Sequence, residues 1–310
     1  MDSPGEDKRI DSQADSLLSE IYGHFDHNKG LAENILALLN YLPQLTDTRN
    51  SELLWKIYAK CYYSGLKNLI PYIDLQKEIA DLVNLQPNEN KLVVDLGCGP
   101  FPFGRIQKEK MQGNHIIGID LARAMLTDAK SNFPAGSFVL GDLEKQLPLK
   151  EYCADIVIST NVLSFLHDPQ KFAADVGRIL KPNGQALITT HKQNFDLAQI
   201  LKAHYYSEVG RAIDPADLDW KTDTPEHFAA SCGRAFQTAK NEIQQQIALV
   251  ALCNLALPRE KINYLPDKEK IEQLFLQNGF LSVQVESTYA DQYFRILASK
   301  SARSDISAIY

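Results

Sequence analysis

Residues 91–104 read KLVVDLGCGPFPFG: an apolar run, an aspartate, then two glycines one residue apart. The run is short, and Val93 and Val94 are β-branched, the pattern of a strand covered on both faces. Gly97 and Gly99 tolerate positive φ and carry no Cβ, so the turn that ends this strand lets a bulky small molecule rest against the main chain. Many nucleotide-binding sheets share a glycine pair after a strand, so the neighbouring stretches decide the reading.

The next strand-like run, His115-Ile116-Ile117-Gly118-Ile119, ends in Asp120, 21 positions after Gly99. In a right-handed βαβ unit this spacing puts a carboxylate at the tip of the adjacent strand, where it accepts hydrogen bonds from both hydroxyls of a ribose. A third run, Ser137-Phe138-Val139-Leu140, leads into Gly141-Asp142-Leu143 and sets another acid at a strand end. Open α/β sheets bind ligands at the carboxyl ends of their strands, so the expected ligand is a nucleoside. NAD fits less well. A pyrophosphate calls for G-x-G-x-x-G, and the third glycine's place is taken by Pro102, between Phe101 and Phe103. Proline suits the first position of a helix that starts at once, and the two phenylalanines are left either to pack beneath the loop or to face the ligand.

With VVDLGCG, GIDLARAML, GDLEKQLPL, DIVISTNVLSFLHDPQKF, RILKPNGQALITT and a closing GF…FRILASK in this order, the chain resembles the class I S-adenosylmethionine-dependent methyltransferases over residues 55–192 and 266–300. It looks most like the branch that holds ubiquinone, menaquinone and many natural-product methyltransferases. The resemblance implies an α/β fold, a Rossmann-like seven-stranded sheet whose last strands form an antiparallel edge. It implies S-adenosyl-L-methionine as cofactor, S-adenosyl-L-homocysteine as product and no metal, while the acidic balance, the aromatics of the insertion and the N-terminal helices suggest a small, partly apolar organic acceptor such as a natural-product or quinone-like intermediate. Carried over residue by residue, it places Asp95, Gly97 and Gly99 at the loop, Asp120 and Leu121 at the ribose, Asp142 and Leu143 at the adenine, and Asn161 at the methionine end. Tyr62, in YAKCYY, stands where related enzymes carry a tyrosine over the cofactor, although Tyr63 replaces the acid that follows there. Binding of the cofactor without methyl transfer, as in a scaffold or a cyclase, and methylation of a protein or carrier-bound substrate are the competing readings.

A general base helps when the acceptor is a hydroxyl or an acidic carbon. His191, at the end of the fifth strand, and His167, in the loop after the fourth, are the candidates, with His204 a distant third. Each competes with a plain loop or surface histidine. Asp168 reads as the N-cap of a helix starting at Pro169.

The 310 residues are 45% hydrophobic and 23% charged, an ordinary globular composition. With 32 basic against 39 acidic residues and no basic block, a nucleic-acid partner is disfavoured. The five cysteines form no C-x-x-C pair, and the N-terminus lacks the apolar core of a signal peptide, so a cytoplasmic protein with free thiols is expected. The longest apolar stretch, 247–257, is too short to span a bilayer.

Organisation follows from periodicity. Residues 1–13 are expected to be a disordered tail, 14–85 an N-terminal helical cap, 86–191 and 266–300 the cofactor-binding core, and 192–265 a helical insertion after the fifth strand serving as substrate lid; 301–310 form a C-terminal tail. The N-terminal helices offer a cap over the site, a partner surface or a homodimer contact.

Overall fold

The computed structural model describes residues 4–46, 51–212, 220–257, 265 and 267–300. The chain divides into two compact units, Met1–Ile73 with Asp196–Arg259, and Asp74–Phe195 with Glu260–Tyr310.

The second unit is an α/β sheet. Its strands are β1 (Leu92–Leu96), β2 (His115–Asp120), β3 (Ser137–Leu140), β4 (Ala154–Thr160), β5 (Leu180–His191), β6 (Ser282–Thr288) and β7 (Tyr293–Ser299). They lie in the order β3-β2-β1-β4-β5-β7-β6. All pairs from β3 to β5 are parallel, and β7 runs antiparallel to both β5 and β6. The order reverses between β1 and β4, which opens a crevice at the carboxyl ends of these two strands. Strand residues alternate between two buried clusters. Val94, Leu96, Val157, Ile188 and Ile296 face the helices Pro169–Ile179 and Lys268–Leu276. Val93, Ile116, Ile156, Leu187 and Leu297 face Leu75, Ile79 and Ala80 of the helix Ile70–Leu82 and Val83 just after it.

The first unit is helical: Pro4–Gly23, Leu31–Leu38, Ser51–Leu66, Leu197–Val209, Pro225–Ala235 and Asn241–Ala256 are its main elements. The long apolar stretch is the inside of the last of these, with Ile247 to Cys253 all buried. Ser64 Oγ donates to Gln246 Oε1 at 2.9 Å and Asn254 Nδ2 to the Tyr58 hydroxyl at 3.3 Å, tying that helix to Ser51–Leu66. Among the described residues no helix is long and apolar enough to cross a membrane.

Three expected boundaries change. The expected tail over 1–13 is helical from Pro4, and Ile10, Ala14, Leu17, Leu18 and Ile21 recur at helical spacing and are buried. The supposed cap does not extend to residue 85: from Asp74 onward its last helix belongs to the sheet unit, where Leu75 and Ile79 are core. The N-terminal helices and the insertion are one unit rather than two. The expected tail at 301–310 lies outside the described residues.

Candidate functional site

The glycine turn is built as its sequence requires. Gly97 and Gly99 have φ of +72° and +52°. A Cβ on Gly97 would run into Val162, whereas one on Gly99 would meet nothing within 4 Å. The loop is therefore packed at its first glycine and open at its second. Pro102 starts the helix Pro102–Ile106, with Phe101 in the left-handed region at φ 57°. Both phenylalanines pack beneath the loop: Phe101 is fully buried against Phe133 and Phe138, and Phe103 lies in the same cluster. Gly104 makes room for this, since any Cβ there would strike the Phe101 ring.

Asp120 holds the turn from β2. Its Oδ2 accepts from the Gly99 amide and its Oδ1 from the Ala122 amide, both at 2.8 Å. Burial raises its pKa, and the amides of Ala122, Gly99 and Leu121 oppose that rise. Leu121, beside it, is 70% exposed, an apolar surface suited to a flat ring. Asp95 lies one strand away, buried, with Oδ1 unpartnered among the described residues. Burial and then the Asp120 charge push its carboxyl up to about 8. Burial likewise pushes the Cys98 thiol up.

At β3, Asp142 Oδ1 accepts from the Glu144 amide at 3.0 Å, a local turn bond, and Oδ2 stands 3.5 Å from Lys145 Nζ. Leu143 turns its side chain into the core. Asn161, at φ 61°, is anchored to β5: its Oδ1 accepts from Thr189 Oγ1 at 3.0 Å.

The three histidines part ways. His191 is buried, with Nδ1 2.6 Å from Ser164 Oγ and Nε2 2.8 Å from the Tyr293 hydroxyl, among the rings of Phe165, Phe195 and Tyr293. Burial holds its pKa down at about 4, so the ring is neutral near pH 7. Both nitrogens are engaged, and taking a substrate proton requires breaking one of these bonds. His167 has an exposed side chain, with Nδ1 3.2 Å from Glu144 Oε1. His204 belongs to the helical unit, where Nδ1 accepts from the Ile70 amide at 3.3 Å and the ring packs on Phe236. Tyr62 lies in that unit too, its ring edge-on to Tyr58 and Tyr72. Asp168 is the expected N-cap, accepting from the Lys171 amide. Ser164 and Tyr293 carry no signal that sequence reading picks out; only the fold brings them to His191.

These groups suit a nucleoside that carries an amino acid. The site offers one open glycine, an acid at the tip of β2 that latches the turn, an exposed apolar side chain, and a buried acid with one oxygen unpartnered among the described residues. Among the described residues no group of three or more His, Cys, Asp or Glu is placed to hold a metal ion.

Residues 94–188 match the model of a family described as a methyltransferase domain. Among curated proteins, the malonyl-[acyl-carrier protein] O-methyltransferase of Serratia marcescens is 32% identical over 117 residues, 38% of this chain and 44% of that protein. Trans-aconitate 2-methyltransferase of Escherichia coli O139:H28 is 31% identical over 105 residues, 34% of this chain and 41% of the relative. The chain thus spans less than half the length of these relatives. Among solved structures, an S-adenosylmethionine-dependent methyltransferase from Mesorhizobium loti aligns with a TM-score of 0.46 at 17% identity, over 72% of this chain and 97% of that one. With its sheet order, its glycine turn and this family match, the sheet unit of the chain is a class I S-adenosylmethionine-dependent methyltransferase domain.

Proposed function

We propose that the protein transfers a methyl group from S-adenosylmethionine to a small, partly apolar organic acceptor. The observation that carries this reading is the latch of Asp120 on Gly99, which fixes the main chain around open space at the second glycine. When bound, S-adenosylmethionine supplies a methyl on a sulfonium sulfur, an electrophile that needs alignment and exclusion of water rather than activation. The residues then divide the work. Asp120 keeps lone pairs for the ribose hydroxyls beyond its bonds to the turn amides. Gly99 leaves room for close approach, Leu121 covers one side of the base, and Asp95 accepts from the ammonium of the methionine end. His191, neutral and doubly bonded, holds Ser164 and Tyr293 in place and takes up a proton only if one of them moves. Five free cysteines support a cytoplasmic setting.

A second reading rests on the relative named for malonyl-[acyl-carrier protein]: the acceptor is carried on a protein. Thermal stabilisation by S-adenosylhomocysteine, followed by a mass-spectrometric acceptor screen for the gain of one methyl, tests both. Methylation of free small acceptors with release of S-adenosylhomocysteine supports the first reading. Methylation of an intact acyl-carrier protein alone supports the second. Cofactor binding with no methyl transfer to any acceptor overturns both in favour of a binding protein.

A further inference from the structure

The helix Ile70–Leu82 lies over the face of the sheet that carries Val93, Ile156, Leu187 and Leu297. Its carboxyl end leads through residues 83–91 into the start of β1, so it runs opposite to the parallel strands, and its earlier residues lie toward their carboxyl ends. Glu78 marks the level: it is bonded by Arg295, which pairs with Thr189 near the end of β5, and its Oε2 accepts from Thr288 Oγ1 at 2.5 Å. Gln76 sits two residues further toward the ligand side. Its main-chain carbonyl accepts from Gln107 Nε2 at 3.4 Å, just after the helix that follows the glycine turn.

The Gln76 side chain has no exposed area, and neither its Oε1 nor its Nε2 has a partner among the described residues. A buried carboxamide normally satisfies both ends, because each unmade bond forfeits the water it left behind. Asp95 shares the feature and the face. On β1 it alternates with Val94 and Leu96, which point into the opposite cluster, and so lies on the side that this helix covers. Two buried side chains with unmet hydrogen-bonding capacity therefore stand at the same end of the same sheet face: one an acid, the other able both to donate and to accept.

We propose that the Gln76 carboxamide, together with Asp95, receives the amino-acid end of S-adenosylmethionine, Gln76 Nε2 donating to its carboxylate while Asp95 accepts from its ammonium. This rests on the cofactor reading given above and adds Gln76 as a cofactor-binding residue. It also separates the site in two: the nucleoside is held by the turn and Asp120, the zwitterion by Gln76 and Asp95.

That separation sets the test. Wild type, Gln76→Leu and Gln76→Glu are titrated calorimetrically with S-adenosylhomocysteine and with 5′-methylthioadenosine, which keeps the nucleoside and thioether but lacks the amino acid. The melting temperature of each ligand-free protein is recorded alongside. Gln76→Leu is expected to weaken S-adenosylhomocysteine about tenfold or more, to leave 5′-methylthioadenosine within about twofold, and not to lower the ligand-free melting temperature. Gln76→Glu, which sets a like charge against the carboxylate, is expected to weaken S-adenosylhomocysteine at least as much. Equal weakening of both ligands, or of neither, in whichever variant folds overturns the proposal; a higher melting temperature with unchanged affinities makes Gln76 a buried amide served by internal water. If the wild type binds neither ligand, the cofactor reading itself falls, and this inference with it.

Discussion

The carboxylate of Asp120 and the amide of Gly99 meet at 2.8 Å, so the residue suited to a ribose is also a structural part of the turn that faces it. Asp120→Ala therefore acts twice. It removes charge-assisted bonds to the ribose, which predicts a fall in S-adenosylhomocysteine affinity of at least about tenfold. It also strips partners from the Gly99 and Ala122 amides, at about 1–2 kcal/mol in the ligand-free protein. Asp120→Asn keeps one accepting oxygen and should do less harm on both counts. Calorimetric titration paired with denaturant unfolding checks this; unchanged affinity in the alanine variant would misplace the cofactor.

Asp95 gives a pH dependence of known sign. Its carboxyl titrates at about 8 in the native protein against 3.8 for the ordinary group. Between these values the native state holds more protons than the unfolded one, so this group's contribution to stability declines as pH rises from about 4 to about 8. Asp95→Asn abolishes the slope, and its melting temperature should gain on wild type from pH 5 to pH 8. Binding an ammonium beside Asp95 favours the carboxylate, so the wild type should release a proton on taking up S-adenosylhomocysteine at pH 7. Titrations in two buffers of different ionisation heat detect that proton, and the asparagine variant should lack it.

His191 runs the other way. Held at about 4 rather than 6.5, it binds fewer protons in the native state than when unfolded, so its contribution is present above pH 6.5 and is lost as pH falls toward 4. His204, also at about 4, adds a parallel dependence in the helical unit. The difference between wild type and His191→Gln in urea unfolding at pH 7 and pH 5 isolates the first: the wild type should lose more on acidification. Tyr293→Phe removes one partner of the ring and should cost about 1 kcal/mol at pH 7.

Gly99 in the turn and Gly104 in the helix that follows it should fail differently. Gly99→Ala adds a methyl to open space at positive φ, which costs about 1 kcal/mol of stability and obstructs the cofactor. Gly104→Ala drives a methyl into Phe101 and should cost several kcal/mol by overpacking. Melting temperature and S-adenosylhomocysteine affinity, measured on both, should separate: affinity falls first at position 99, stability at 104.

The sheet was legible in the chain because buried parallel strands write themselves as short β-branched runs, and the glycine turn because only glycine fits its φ. Asp120 followed from spacing alone. What resisted reading depends on contacts distant in sequence. Gln76 looks like any solvent-facing helix glutamine until the strands beneath it are known. His191 is marked as a base by its type and position, yet burial, among rings that include Tyr293 102 positions away, keeps it neutral. Lys181-Pro182-Asn183-Gly184 reads as the stop of the helix from Pro169, which does end at Ile179, but β5 begins at Leu180 rather than after the glycine, since a stretch with a bulge tolerates proline. The fusion of the N-terminal helices with the insertion has no local signature at all.

The place of β7 bears on how the protein is made. It lies between β5 and β6 yet is made after both, so the edge of β5, with Leu187 and Ile188, stays bare while residues 192–292 leave the ribosome over a time on the order of seconds. A nascent chain halted before Tyr293 carries an open apolar strand edge, ready to pair with a neighbour on the same polysome or to be held by a chaperone.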